Sequence, residues 1–377
     1  MTVPIEASGN RIANYRTHFE NGYRVVDTRP TVGSPFWRGS HNLWSPRVGF
    51  SYNPDGAGKM VLRGGFGIFF DHLVSEFRFY TNANLPFFGN LQVNNPPFPL
   101  GLTGTGTAPV PAPQGMDYET KIPEKLQWNF SIQRQITQSS ALSVAYLGAH
   151  SYNLSRVADF NIPIPSIVNG QKFFAAGLPR RNTALGGSQI VMTDAHSFYH
   201  GLQVDLTQHM SNSLRGKFSY TWSKNMDEAS SITGQEALGV PATAQDPEYG
   251  RGERGLSSFD ARQTFVSNFT YDLPNFAASG VAARVINGWQ VSGIFTANTG
   301  EPFTALSGFS RSRSQSRSVA DRPNLASSGS NNPTAGTSVG CGPIAAGEAL
   351  GGPERYFDPC AFVLPEIGFY GNLGRNT

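Results

Sequence analysis

Residues 125–136, Lys-Leu-Gln-Trp-Asn-Phe-Ser-Ile-Gln-Arg-Gln-Ile, alternate polar and apolar side chains almost without exception. One parity holds Leu126, Trp128, Phe130, Ile132 and Ile136, and the other holds Lys125, Gln127, Asn129, Ser131, Gln133 and Gln135. Successive side chains of a β-strand point to opposite sides, so this stretch predicts a strand with one apolar face and one polar face.

Seven further stretches alternate in the same way. Their apolar members are Trp44, Val48, Phe50 and Tyr52; Met60, Leu62, Phe66, Ile68 and Phe70; Leu142, Val144 and Tyr146; Phe198, Leu202, Val204, Leu206 and Met210; Phe218, Tyr220 and Trp222; Phe265, Phe269 and Tyr271; and Trp289, Val291 and Phe295. Each run has roughly ten residues, about the length with which a strand tilted near 45° crosses the hydrocarbon layer.

The composition agrees with strands that cross a membrane. Only 39% of the 377 residues are hydrophobic, the mean hydropathy is −0.29, and no segment offers the roughly 18 consecutive apolar residues of a transmembrane helix. A barrel has such a polar average because one face of every strand is hydrophilic. We therefore predict an all-β protein, an antiparallel transmembrane β-barrel segment of about eight strands.

The connections between these stretches alternate in length. Short ones are expected at 54–58, 137–140 and 211–213, with a medium one at 273–287. Long ones are expected at 71–122, 151–195, 225–258 and after residue 299. Outer-membrane barrels have short turns on the periplasmic rim and long extracellular loops, so the long connections are predicted to be extracellular.

Several motifs resemble the barrel of TonB-dependent receptors, specifically the Oar-like branch. They are Pro46–Phe50 leading to Arg63–Asp71, Gln127–Arg134, Tyr199–Gln203, Tyr220–Lys224, Ser258–Arg262, Gly288–Gly293, and Tyr356–Pro359 leading to Gly371–Asn376. The resemblance implies an outer-membrane location, a barrel of about twenty-two strands, a plug domain and TonB as partners, and energised uptake of a large solute. No cofactor is implied.

The same resemblance sets the expected domain organisation. Residues 1–43 are interpreted as a partial loop or strand region of the barrel, residues 44–299 as a β-barrel segment, and residues 300–377 as a long extracellular loop region that leads to further strands. The start of the chain has neither a basic start nor an apolar core. The expectation is an internal barrel segment that lacks the signal peptide and the plug.

The candidate functional residues are polar side chains predicted to line the lumen: Gln133, Asp205, Lys217, Asp260 and Arg262. So many polar and charged groups do not fit the narrow interior of an eight-stranded barrel without full pairing, so a larger, water-filled lumen is expected. Asp260 and Arg262 are interpreted either as part of an ion-pair ladder that stiffens the wall or as contacts to substrate or plug.

Other chemistries receive no support from the sequence. The net charge of +3 makes no case for nucleic acid, and Arg311, Arg313 and Arg317 among serines are interpreted as a solvated, disordered loop tip. His196, His200 and His209 lack the spacing of a metal site, and no nucleophile motif indicates an enzyme. Cys341 and Cys360 are predicted to form a disulfide in an extracellular loop.

Three functions are therefore compared. The first is a segment of a TonB-dependent transporter barrel, with outer-membrane lipid and an unidentified solute as partners. The second is an outer-membrane structural or adhesion protein whose loops bind matrix or carbohydrate. The third is a secreted β-sandwich lectin, in which the apolar faces would be buried inside the protein.

Overall fold

The computed structural model describes residues 13–32, 37–39, 42–72, 80–81, 84–85, 110–211, 213–231, 243–277, 280–317, 321–326, 345, 347–352 and 357–376. The strands are β1 (Ala13–Asn14), β2 (Thr17–Glu20), β3 (Tyr23–Val26), β4 (Thr31–Val32), β5 (Arg47–Tyr52), β6 (Met60–Phe70), β7 (Gln114–Met116), β8 (Glu124–Thr137), β9 (Ser140–Ala158), β10 (Ser166–Val168), β11 (Gln171–Phe173), β12 (Gln189–Ser211), β13 (Leu214–Asp227), β14 (Gly255–Leu256), β15 (Gln263–Asp272), β16 (Gln290–Asn298), β17 (Asn324–Leu325) and β18 (Phe362–Val363). One helix, α1 (Gly280–Ile286), and two short 3₁₀ turns, Gly250–Glu253 and Pro359–Ala361, complete the described elements.

One antiparallel sheet holds the eight strands that the alternation predicts. Its order is β16-β15-β13-β12-β9-β8-β6-β5, and the short strands β14 and β7 pair with β13 and β12. Neighbours in this order are also neighbours along the chain once the short strands are set aside. The prediction of an all-β, antiparallel barrel segment is thus confirmed in its sheet.

The register of the sheet joins residues of one polarity into continuous rows. One row runs through Tyr52, Leu62, Ile132, Val144, Val204, Tyr220, Phe265 and Ala297. The row beside it runs through Ser51, Arg63, Ser131, Ala145, Gln203, Thr221, Thr264 and Asn298. Directly paired residues lie on the same side of a sheet, so the sheet has one apolar face and one polar face across all eight strands.

The apolar face is exposed over most of its area. Phe50, Phe130, Trp222 and Phe295 are 55%, 43%, 56% and 55% exposed. A soluble β-sandwich would bury this face against a second sheet, and no second sheet covers it in the described residues. The structure therefore disfavours the lectin interpretation.

Glycines on the apolar face make room for aromatic rings of the neighbouring strand. Gly64 pairs with Phe50 and Gly148 pairs with Trp128, and a Cβ at either glycine would lie within 3.0 Å of that ring. The ring covers the backbone that a glycine leaves open. The close neighbour of Gly64 is therefore the Phe50 side chain.

The connections follow the predicted alternation of short and long, and they differ from the prediction in two respects. β9 and β12 extend to Ala158 and back to Gln189, so the connection predicted at 151–195 shortens to 159–188. Val157, Ala158, Ile190 and Val191 are fully buried. These strand ends are packed on both faces, which removes the alternation that a one-sided strand shows. The second difference is helix α1, which lies within the medium connection between β15 and β16.

The strand faces can be tested by placing one charge on each. Arginine at Phe130, on the apolar face, should destabilise the folded protein in a bilayer by about 2 to 4 kcal/mol if the site lies near the midplane. Arginine at Gln133, three positions along β8 on the polar face, should change the stability little. Equilibrium unfolding from lipid vesicles measures both, and equal losses would contradict the assignment of the faces.

Candidate functional site

The long connections pack together into a compact body beyond one end of the sheet, which we call the loop layer. It comprises residues 13–39, 110–123, 159–188, 243–262 and 299–376 as far as they are described, with the adjoining ends of β9 and β12. Its main apolar core contains Tyr15, Val26, Ala158, Phe160, Leu185, Ile190 and Met192. The sheet exposes its apolar side chains, whereas the loop layer buries its own.

Amide side chains tie separate segments of the loop layer together. Asn14 donates from Nδ2 to the Met116 carbonyl (2.9 Å) and accepts from the Met116 amide at Oδ1 (2.8 Å). Asn161 donates from Nδ2 to the carbonyls of Leu185 and Gly186 at 2.9 and 2.8 Å. Such bonds satisfy backbone groups of short strands and of irregular segments. These side-chain hydrogen bonds hold segments in place whose secondary-structure propensity is low.

Buried ion pairs form the charged interior of the loop layer. The Arg322 guanidinium donates to both carboxylate oxygens of Glu253, at 3.0 and 3.1 Å, and the two side chains are 8% and 6% exposed. Arg375 pairs with Asp227, also buried, and donates to the Ser230 hydroxyl at 2.7 Å. Two-pronged pairs of this kind are the arrangement in which arginine offsets part of the cost of burial.

The segment Gly371–Asn376 is threaded closely through this interior. A Cβ at Gly371 would lie within 3.0 Å of the Arg322 and Pro323 carbonyl oxygens, and one at Gly255 would collide with the Arg375 carbonyl. Asn376 donates from Nδ2 to the Leu256 carbonyl at 2.8 Å. The motif Gly371–Asn376 thus packs against segments that are distant from it in the sequence.

The arginine and serine tract at 311–317 is ordered, so its interpretation as a solvated, disordered loop tip is wrong. Ser312 and Ser314 are fully buried, and the Asp321 carboxylate accepts from the Arg311 and Ser312 amides at 2.5 and 2.6 Å. Arg313 has a positive φ of 61°. Composition predicts solvation for such a tract, but the carboxylate of Asp321, nine residues after Ser312, binds its backbone amides.

The environment of the loop layer perturbs two acidic groups. Burial raises the pKa of the Asp117 carboxyl, although the Arg24 guanidinium 3.5 Å away favours its charged form. Burial also raises the pKa of the Tyr370 hydroxyl well above its ordinary value. Both changes follow from the burial of these groups, which disfavours their charged forms.

The five predicted lumen residues divide into two groups. Gln133, Asp205 and Lys217 lie on the polar face toward the short turns, where Gln133 accepts from Arg63 at 2.8 Å and Lys217 lies 3.8 Å from Asp205. Asp260 and Arg262 lie at the loop end and form an ion pair of 3.2 Å. Asp260 is buried and also accepts from the Asn225 amide at 2.6 Å. The structure does not bring the two groups together.

Grooves lie on the polar face near each end of the described sheet. The groove at the loop end has a volume of about 340 Å³ and is lined by Lys125, Gln127, Ser151, Ser197, Tyr199 and Asn225, among others. The groove at the short-turn end has about the same volume of 340 Å³ and includes Arg63 and Gln133. The sequence identified Lys125 and Gln127 as polar-face residues, but nothing in it singled out Tyr199 as a groove residue.

The described residues show no cluster of three or more histidine, cysteine or acidic side chains able to hold a metal ion. His196 and His200 lie within β12, where His200 contacts Tyr146 and Trp128, and the side chain of His209 lies outside the described residues. Within the described part of the chain, no helix combines the length and apolar composition that crossing a membrane requires.

Comparison with known proteins identifies a family over the whole chain. The model of the outer membrane beta barrel domain family matches residues 1–377. No curated protein matches the sequence.

Three of the solved structures that are similar to this chain illustrate the extent of the match. The outer membrane transporter YddB from Escherichia coli has 7% identity and a TM-score of 0.44, over 77% of this chain and 32% of that one. The siderophore receptor PirA from Acinetobacter baumannii has 14% identity and a TM-score of 0.33, over 68% and 34%. The FrpB iron transporter from Neisseria meningitidis has 12% identity and a TM-score of 0.32, over 67% and 26%. The chain spans about a third or less of the length of these structures.

The buried pair should contribute far more to stability than an exposed one. Glu253→Gln leaves Arg322 buried without a counter-charge, which should cost about 3 to 5 kcal/mol. Glu119→Gln is the matched control, since it removes an Arg–Glu pair of 3.3 Å whose partners are 72% and 62% exposed, and should cost at most about 1 kcal/mol. Urea unfolding of the protein in detergent measures both, and similar losses would contradict this role of the buried pair.

The predicted disulfide has one partner within the described residues. Cys360 is disulfide-bonded, and Cys341 lies outside the described residues, so their pairing stays a prediction. Nonreduced protein from outer membranes should yield the linked peptides in mass spectrometry. Recovery of Cys341 as an alkylatable thiol would contradict the pairing.

Proposed function

Because the chain belongs to the outer membrane beta barrel domain family, we propose that it forms part of the wall of a larger barrel that takes up a large solute across the outer membrane. The observation that carries the proposal is the sheet itself: eight strands with one apolar and one polar face, which lead into an ordered loop layer at one end. In the outer membrane, the apolar face contacts lipid and the polar face contacts water.

A larger barrel is favoured over a closed eight-stranded one by the edges and the charges of the sheet. Among the described strands, β5 and β16 each pair on one side only. Arg63, Lys125, Asp205 and Lys217 all lie on the polar face, where an eight-stranded barrel has room for little more than its own side chains. A wide lumen keeps these groups hydrated and removes the cost of burying them.

The motifs that resemble the Oar-like branch of TonB-dependent receptors support energised uptake. In this proposal a plug domain occupies the lumen, TonB displaces it, and the solute first meets the loop layer. Gln133, Asp205 and Lys217 line the water-filled lumen. Asp260 and Arg262 stiffen the wall where it joins the loop layer, since Asp260 is already bound to a backbone amide. No catalytic residue, metal or cofactor is assigned.

In this proposal, residues 1–43 and 300–377 both belong to the extracellular surface of the protein. β1 to β4 pair among themselves, and their core residues Tyr15 and Val26 pack with Phe160 and Ile190. Arg180 joins the 159–188 connection to the C-terminal region by donating to the Gln315 carbonyl at 2.7 Å. Both ends of the chain therefore contribute to the extracellular surface that a solute approaches, and residues 44–299 supply the wall.

An adhesion protein is the second candidate, and one observation favours it. The loop layer has its own apolar core and buried ion pairs, so it presents a rigid surface of the kind that binds matrix or carbohydrate. A plug domain encoded upstream in the same gene would support transport. Absence of a plug from the gene would support adhesion.

Energised uptake predicts that the accessibility of a residue on the polar face changes with TonB. We expect a cysteine at Gln133 or Lys217 to react with a membrane-impermeant thiol reagent faster in energised cells that contain TonB than in cells that lack it, because displacement of a plug uncovers the lumen. Labelling followed by mass spectrometry measures the rates, in a background with Cys341→Ser and Cys360→Ser.

A cysteine at Ile132 is the matched control, because it lies on the same strand and faces the lipid. Its labelling should be slow in both strains. Equal rates at Gln133 with and without TonB would contradict energised uptake and leave adhesion as the better function.

A further inference from the structure

The apolar face changes in composition as it approaches the loop layer. The row through Phe130, Tyr146, Leu202 and Trp222 is wholly apolar or aromatic. The next row toward the loops runs through Trp128, Gly148, His200 and Lys224, and the one after it through Leu126, His150, Phe198 and Met226. Basic groups thus begin on the lipid-facing side one row beyond the apolar band.

Three of the basic side chains in this region, those of His150, His200 and Arg254, contact aromatic rings. The His200 ring is stacked on Tyr146, with Nδ1 2.7 Å from the tyrosine hydroxyl. The His150 ring is stacked on Phe198 with centroids 3.9 Å apart and lies 5.8 Å from the His196 ring. The Arg254 guanidinium carbon lies 4.7 Å from the centre of the Phe198 ring. The arrangement joins aromatic side chains, which favour the membrane interface, to imidazole and guanidinium groups.

The two permanent charges of this group have no acidic partner within the described residues. Lys224 and Arg254 are exposed, and neither forms an ion pair there, in contrast to Arg156, Arg322 and Arg375. The buried carboxylate of Glu228 is engaged by the His196 backbone amide at 3.0 Å. Glu124 lies opposite Tyr152, on the far side of the histidines. Within the part of the chain that the structure describes, the lipid-facing side near Lys224 and Arg254 therefore carries positive charge without an acidic partner.

We propose that Lys224 and Arg254, with His196 and His200 beside them, bind the phosphates on the headgroup of an outer-leaflet lipid. We call these four residues the rim patch. Acyl chains of that lipid would lie on Phe130, Leu202 and Trp222, and its phosphates would reach the height at which the cations begin. A soluble anion lacks the acyl chains that the apolar rows accommodate. The inference depends on the outer-membrane placement of the chain and not on solute uptake.

Binding of a phosphorylated lipid tests the rim patch directly. The protein is purified from outer membranes, delipidated in mild detergent, and titrated in native mass spectrometry with bis-phosphorylated lipid A and with its dephosphorylated counterpart. The unaltered protein should prefer the phosphorylated lipid. Lys224→Gln with Arg254→Gln should weaken that binding by about tenfold or more, since charge-assisted bonds to phosphate are lost, and should leave binding of the dephosphorylated lipid unchanged.

A second double variant provides the matched control. Lys59→Gln with Arg251→Gln removes one lysine and one arginine that are exposed and lie outside the rim patch, and should keep the preference. Heat-modifiable migration on gels verifies that each variant is folded. If the double variant is not folded, the single variants Lys224→Gln and Arg254→Gln are measured instead, and each should give an intermediate loss of binding to the phosphorylated lipid.

Three results would overturn the proposal. One is equal binding of the two lipids by the unaltered protein. Another is an equal loss in both double variants, which would indicate a general charge effect. The third is displacement of lipid A by millimolar inorganic phosphate, which would indicate a site for a soluble anion.

Discussion

The whole sheet depends on one constraint, that every backbone N–H and C=O within the hydrocarbon layer must find its partner in a neighbouring strand. Pairing fixes the register, and the register decides which face each side chain occupies, since a slip of one residue would exchange the two faces of a strand. The continuous row from Tyr52 to Ala297 shows the result across eight strands. Phe50 over Gly64 and Trp128 over Gly148 then fill the places where the paired backbones would otherwise be bare.

The sequence predicted this part well because the signal is local. The alternation of Leu126, Trp128 and Phe130 within five residues predicts an exposed apolar face, and this prediction does not depend on any distant contact. The prediction became inaccurate where the strands leave the one-sided environment. Val157 and Ile190 lie in regular strands, but they are packed on both sides by the loop layer, so the alternation that would mark them is absent.

The candidate site was less predictable for a related reason. Ser312 is buried because Asp321 accepts its amide, and Arg322 is buried because Glu253, about seventy residues earlier in the chain, receives its guanidinium. Nothing in the local composition around either residue indicates the partner. The parity of Asp205 and Lys217 placed both on the polar face, yet parity could not predict that Asp260 would be held by the Asn225 amide near the opposite end of the sheet.

Charged side chains thus occur in three environments: the polar face of the sheet, the loop layer, and the loop end of the apolar face. On the polar face Lys217 and Asp205 are 3.8 Å apart, and Lys217 stays half exposed to water. In the loop layer Arg375 and Arg322 are buried, so each needs a carboxylate and further hydrogen bonds to be tolerated. At the loop end of the apolar face, Lys224 and Arg254 have no carboxylate partner among the described residues, and we propose that anionic lipid headgroups supply the negative charge. A protein whose wall lies among anionic headgroups can leave two cations unpaired there, whereas a soluble one would gain nothing from placing them beside an exposed apolar surface.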